Sequence, residues 1–138
     1  FRGPVTMLPY LKEIRKQVKC HVAALPIPIR TNKKYTTWFN LPDRSDCGCG
    51  APHGRTFPTA LEPLMCNRYE IGQFAKDAYK IGINYIGVCC LGNPMLIREV
   101  AHAVGLTVPA SKYKEKMENH FMYGENIPKH MKEYGNKA

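Results

Sequence analysis

Two short apolar runs constrain this chain more than any other feature. The first, in His21-Val22-Ala23-Ala24-Leu25-Pro26-Ile27-Pro28-Ile29, is closed by its prolines; the second runs from Ile83 to Cys90. Both have the continuous apolar character of strands buried on both faces, which places strands near 21–27 and 84–90. Each lies between segments of helical spacing. Leu8, Leu11, Ile14 and Val18 recur at helical intervals, so a helix capped by Thr6 and reaching about Lys19 is expected, with Pro9 tolerated in its first turn. Asn67 and Glu70 form a capping-box pattern ahead of Ile71, Phe74, Ala75, Ala78, Tyr79 and Ile81, and Gly82 supplies a stop. Asn93 and Pro94 open a third helix with a stripe of Leu96, Ile97, Val100, Ala101 and Val104, ended by Gly105. The order helix, strand, helix, strand, helix predicts an α/β fold of parallel β/α units.

Two parallel strands do not complete a domain. Three helices could cover both faces of such a sheet, but both outer edges stay unpaired. The chain has 138 residues and opens at Phe1-Arg2-Gly3-Pro4 without an initiator Met, so a piece of something larger is expected. Beyond Gly105 the composition turns to Lys, Glu and Pro, with Pro109 and Pro128. The expected organisation is a β/α region over 1–105 and an extended, partly helical arm over 106–138.

No run of 18 apolar residues is present, which argues against a membrane-spanning helix. The net charge is +9 and is concentrated in residues 1–60, which hold ten Lys/Arg against three Asp/Glu. These basic residues are spread over a helix face and a loop without interleaved aromatic motifs, which argues against a nucleic-acid partner. The six cysteines sit in a helix-patterned chain without a secretion signal, so reduced thiols and a cytoplasmic setting are expected.

Cys89 and Cys90 are the most informative of the six. Adjacent side chains on a strand point to opposite faces, so both thiols reach one ion only if the backbone turns sharply, as Gly87 and Gly92 permit. Two thiolates at a strand's C-terminal end would form half of a zinc site; otherwise they are two small buried hydrophobes. The long connection over residues 30–61 carries Trp38 and the cluster Cys47-Gly48-Cys49 with His53. A connection of that length is expected to be functional. A self-contained zinc protein built from Cys47, Cys49, His53, Cys89 and Cys90 is one reading, although Cys-Gly-Cys-Gly beside proline reads more as a turn. His21, His102, His120 and His130 show no partner spacing.

Several stretches together resemble the C-terminal third of the homocysteine S-methyltransferases, with the betaine–homocysteine type as the closest match. They are Leu61-Glu62-Pro63, Asn67-Arg68-Tyr69, Phe74 to Tyr79, Ile83 to Cys90, Pro94, Ile97, Arg98, and Val108 to Ser111. The resemblance implies the C-terminal portion of a (β/α)8 TIM barrel followed by an arm that makes contacts between subunits. It implies zinc held by Cys89, Cys90 and a third cysteine expected just before Phe1. It also implies homocysteine as the methyl acceptor and betaine or a similar onium compound as the donor, with methionine as product. Glu62 is the candidate for holding the substrate amino group; its other reading is charge stabilisation at a helix start. No aromatic cage for a quaternary ammonium is evident in this stretch.

Val88 and Leu91 stand where that family has glycine, and residues 43–56 look like an insertion. A non-catalytic barrel remnant or interaction module is therefore the alternative function. On either reading the chain alone is expected to lack activity and to associate, with the remaining barrel or with partner chains in a homo-oligomer.

Overall fold

The computed structural model describes residues 2–43, 54–120 and 124–125. It falls into two compact units, residues 1–108 and 109–138. In the first, α1 (Pro4–Gln17), β1 (Ala23–Ala24), α2 (Arg68–Lys80), β2 (Tyr85–Ile86) and α3 (Pro94–Ala103) follow in order. The strands pair in parallel, with Ala23 beside Tyr85 and Ala24 beside Ile86.

The regular strands are shorter than the apolar runs, for a covalent reason. The amides of Tyr85, Gly87 and Cys89 donate to the carbonyls of Val22, Ala24 and Pro26 at 3.2, 3.0 and 2.8 Å, so the ladder advances two residues at a time along both segments. Pro26 accepts from Cys89 but has no N–H to return, and the two-way ladder stops there.

The helix ends follow from their sequences. At α2, Asn67 Oδ1 accepts from the Glu70 amide at 3.0 Å, and Glu70 Oε2 accepts from the Asn67 amide at 2.7 Å. Gly82, at φ 82°, closes the helix: its amide donates to Tyr79 and that of Ile83 donates to Ala78. This is the two-bond Schellman arrangement, and it recurs at Gly105, where Gly105 and Leu106 donate to His102 and Ala101. Asn93 caps α3 by accepting from the Leu96 amide.

The start of α1 differs from the expectation. The helix begins at Pro4 with Gly3 as N-cap, so Thr6 lies inside it and Pro9 falls past the first turn. The Thr6 hydroxyl instead meets the Thr31 hydroxyl at 2.6 Å, and the Gly3 amide donates to the same Thr31 oxygen at 3.0 Å. A Cβ at Gly3 would stand 2.1 Å from the Ile29 carbonyl, so glycine is required where the start of α1 passes the connection that follows β1.

Helix placement also departs from the reading that three helices cover both faces. Leu11, Phe74, Ala78 and Ile83 pack with Ala24, while Ile71, Ala75, Leu96 and Val100 form the adjoining cluster, and Ile86 touches both. All three helices thus lie on the Ala24–Ile86 face. On the opposite face, Ala23 is exposed, Leu25 is 40% exposed and Tyr85 is 63% exposed. A third cluster, of Ile27, Ile29, Leu41 and Leu61, sits beneath the connection between β1 and α2.

The second unit contains short 3-10 turns at Pro109–Tyr113 and Met117–Asn119 among its described residues. The Glu125 amide donates to the Glu118 carbonyl at 2.9 Å. No described helix is long and apolar enough to cross a membrane.

Arg30 ties the connection that follows β1 to the start of α2. Its Nε and Nη2 donate to the two Glu70 oxygens at 2.7 and 2.8 Å. This bond, with the Asn67 amide adding to it, holds the Glu70 carboxyl below its ordinary value against the opposing effect of burial. A depressed carboxylate stabilises the fold above its unfolded value, and that stabilisation is lost as pH falls through the folded value. Replacing Glu70 with Gln is expected to reduce stability by about 1 kcal/mol at neutral pH, since the pair is partly solvated. The gap from wild type should close in acid, as read from urea midpoints across the pH range.

Candidate functional site

The ladder carries β2 to Cys89, whose amide is fixed on the Pro26 carbonyl, and the chain then reverses. The Gly92 amide donates back to the Cys89 carbonyl at 3.0 Å, closing a four-residue turn over Cys89-Cys90-Leu91-Gly92. Leu91 has φ 66°, while Cys90 is not among the residues of positive φ, which is the pattern of a type II turn. The turn redirects Cys90 toward the side that Cys89 already faces. The two sulfurs lie 3.5 Å apart, and both residues are exposed free thiols.

That spacing bears on the chemistry. A disulfide would bring the sulfurs to about 2.0 Å. Two ligands of one tetrahedral zinc ion, with bonds of about 2.3 Å, stand about 3.8 Å apart. The pair is therefore close to the separation two zinc ligands need, with no rotation of the backbone. The Cys90 thiol is held above its ordinary value, first by its hydrogen bond with the Cys89 sulfur and then by the neighbouring charge. A cation between the sulfurs would remove that repulsion. Among the described residues no group of three or more His, Cys, Asp or Glu side chains surrounds a common point, so the two thiols stand there without a third such side chain.

Glycine serves the turn differently from the sequence reading. Gly87 stays in the ladder, where a Cβ would meet Leu25 at an ordinary 3.6 Å. Gly92 is the tight position: a Cβ there would stand 2.5 Å from Val88 Cγ2 and 2.8 Å from the Cys89 carbonyl. The left-handed residue is Leu91, 45% exposed. Val88 does not splay the pair. Its side chain packs on the cluster of Ile71, Leu96 and Val100.

Glu62 is the first residue of a short 3-10 turn, Glu62–Leu64, and is exposed; its carbonyl accepts from the Met65 amide at 3.1 Å, while its carboxylate has no hydrogen bond or ion pair among the described residues. Cys47, Cys49 and His53 lie outside the described residues, as does His130. His21 is exposed, while His102 and His120 are half-buried. Trp38, Phe39 and Phe57 gather with ring centroids 4.7 to 5.5 Å apart. At that spacing the rings pack on one another. Trp38 and Phe57 rest on the Ile27–Leu61 cluster and form a lid over core rather than a cage.

Sequence reading missed Cys66. It is buried beneath Glu70 and helps line a groove of about 360 Å³ between α1 and α2, with Leu8, Ile29 and Phe74. Burial pushes its thiol up to about 12, with the Glu70 charge adding to the shift and Arg30 opposing it. No spacing rule connects Arg30, Cys66 and Glu70, because the fold brings them together.

No protein-family model matches the chain. It is 40% identical over 88 residues to betaine–homocysteine S-methyltransferase 1 of Danio rerio, covering 63% of this chain and 22% of that protein. It is 37% identical over 123 residues to the protein of the same name from Pongo abelii, covering 84% of this chain and 25% of the relative. It is 34% identical over 102 residues to an S-methylmethionine–homocysteine S-methyltransferase of Rattus norvegicus, covering 68% and 25%. The chain thus resembles the homocysteine S-methyltransferases, and the stretch concerned is mostly their C-terminal part. Within that class it resembles the betaine–homocysteine type, and it spans about a quarter of the length of the curated relatives it matches.

Two outcomes are expected. A left-handed leucine is strained by about 1 kcal/mol relative to glycine. Leu91→Gly should therefore raise the stability by up to that amount in urea unfolding, with the thiol reactivity of the pair retained. For Cys66, a raised thiol value means its stabilising effect is complete below the unfolded value and is lost as pH rises. Between about pH 8 and about pH 11 the wild-type urea midpoint should fall more steeply than that of Cys66→Ala.

Proposed function

We propose that this chain supplies the closing β/α units and half of the zinc site of a homocysteine S-methyltransferase, acting with further polypeptide that completes a (β/α)8 barrel. The observation that carries the reading is the Cys89–Cys90 pair, with both sulfurs presented together at the C-terminal end of a parallel strand. Active sites of such barrels form at that end of the strands. The one-sided helix layer supports the barrel: helices stand outside while Ala23, Leu25 and Tyr85 face the other way, as residues lining a barrel interior do.

Each local feature then has a task. Cys89 and Cys90 hold zinc, with the third ligand supplied from outside the described residues. Held by these thiolates, zinc would supply the charge that favours the thiolate form of a substrate thiol, which is a poor nucleophile while protonated. The Pro26 carbonyl and the Gly92 turn fix the two sulfurs, so little ordering remains when the ion binds. Glu62, uncommitted among the described residues, offers its carboxylate to the amino group of homocysteine. The acceptor is homocysteine and the donor an onium compound of the betaine or S-methylmethionine kind, the substrates named for the relatives. The cationic methyl donor finds no cage in the packed Trp38 cluster, so its recognition falls to the rest of the barrel. The arm from Pro109 onward serves contacts between subunits, and the setting is cytoplasmic.

The alternative is a remnant without activity, favoured by Val88 and Leu91 in place of glycine. Against it, the turn that contains Leu91 and follows Val88 keeps the sulfurs 3.5 Å apart.

A chimera tests the proposal. The matching C-terminal quarter of the Danio rerio relative is replaced by this chain, and methionine formation from homocysteine and betaine is measured with zinc present. Activity is expected, with loss of at least a hundredfold on Cys89→Ser or Cys90→Ser. A folded, zinc-loaded chimera without turnover would favour the remnant. The 138-residue chain alone is expected to show no turnover.

A further inference from the structure

We propose that the Cys89–Cys90 turn is a chelating dithiol for trivalent arsenicals, a ligand class separate from zinc and independent of the methyl-transfer reading. Three observations meet there. The sulfurs are 3.5 Å apart on one side of the turn. Both are exposed free thiols, so a small ligand reaches them without opening the core. The backbone is held at both ends, by Cys89 on Pro26 and Gly92 on Cys89, so the sulfurs stay paired in the free protein.

Ligand number then selects the chemistry. Zinc is satisfied by three or four protein ligands. Among the described residues no third ligand stands near the pair. An organic trivalent arsenic centre is soft, as thiolates are, and already carries one carbon substituent, so two thiolates complete it. With an arylarsine oxide, two As–S bonds form and the As=O bond breaks. The oxygen leaves as water with the two thiol protons, and arsenic stays trivalent, so no oxidant or reductant is needed. Once one sulfur is bound, the second attacks from a fixed short distance, and the chelate outcompetes single thiols by the usual gain of an intramolecular second bond.

Phenylarsine oxide is the probe, with the whole 138-residue chain reduced by a phosphine. A second pair, Cys47 and Cys49, is close in sequence, so the measurement is made in Cys47→Ser/Cys49→Ser. Intact mass is expected to show one phenylarsenic group per chain. The adduct should survive a roughly hundredfold excess of 2-mercaptoethanol and be released by 2,3-dimercaptopropanol. Further change of Cys89→Ser or Cys90→Ser should abolish the stable adduct, whereas Cys20→Ser or Cys66→Ser should leave it, with circular dichroism showing that each variant keeps its helices. No adduct in the Cys47/Cys49 double variant, or an adduct that persists without Cys89, overturns the proposal. Both readings use the same sulfur pair but are read out separately, by adduct mass and by chimera turnover: an adduct beside an inactive chimera sinks the methyl-transfer reading alone, and an active chimera without an adduct sinks this one alone.

Discussion

The backbone ladder between Val22–Pro26 and Tyr85–Cys89 is the constraint on which the rest of the first unit depends. Three carbonyls of the first segment take three amides of the second, in steps of two residues. That register puts Ala24 and Ile86 on the face that the helices cover, and Leu25 and Gly87 on the other. A slip by one residue would exchange the faces, because strand side chains alternate. The last rung also fixes where Cys89 stands, so the candidate site is an outcome of sheet register before it is an outcome of side-chain chemistry.

Proline and glycine do complementary work at the strand ends. Pro26 ends reciprocal pairing while still accepting from Cys89, which frees the first segment to turn toward the connection that ends at α2. Gly3 allows α1 to pass against Ile29, and Gly92 allows the cysteine turn to close over Val88. Leu91 is the exception: a residue with a Cβ adopts a left-handed conformation that normally falls to glycine. The turn holds because its hydrogen bond, the packing of Val88 and the capped start of α3 all over-determine it.

The Arg30–Glu70 pair shows how one carboxylate serves two structures. Glu70 closes the cap of α2 and receives Arg30 from the connection that follows β1. Helix start and that connection are thereby joined beside the buried thiol of Cys66. The partial exposure of the pair keeps its energy modest. Its value is positional, since it sets where α2 begins relative to the sheet.

Local chemistry made much of this legible in the sequence alone. The caps at Asn67 with Glu70 and at Asn93 with Pro94, and the stops at Gly82 and Gly105, stand where their residues place them, because capping involves neighbours within a turn or two. The strand-and-helix alternation likewise called for parallel pairing, and the adjacent cysteines marked the candidate site. Other features depended on groups far apart in the chain. Thr6 reads as a cap until Thr31 is brought 2.6 Å away; Cys66 reads as an ordinary thiol until burial and Glu70 surround it. The placement of all three helices on one face also came from tertiary packing, since periodicity says which side of a helix is apolar and not which side of a sheet it meets. Finally, two adjacent cysteines carry no information about the distance between their sulfurs. That 3.5 Å was decided by a turn whose left-handed residue is a leucine, held by contacts that form only when the sheet and α3 are in place.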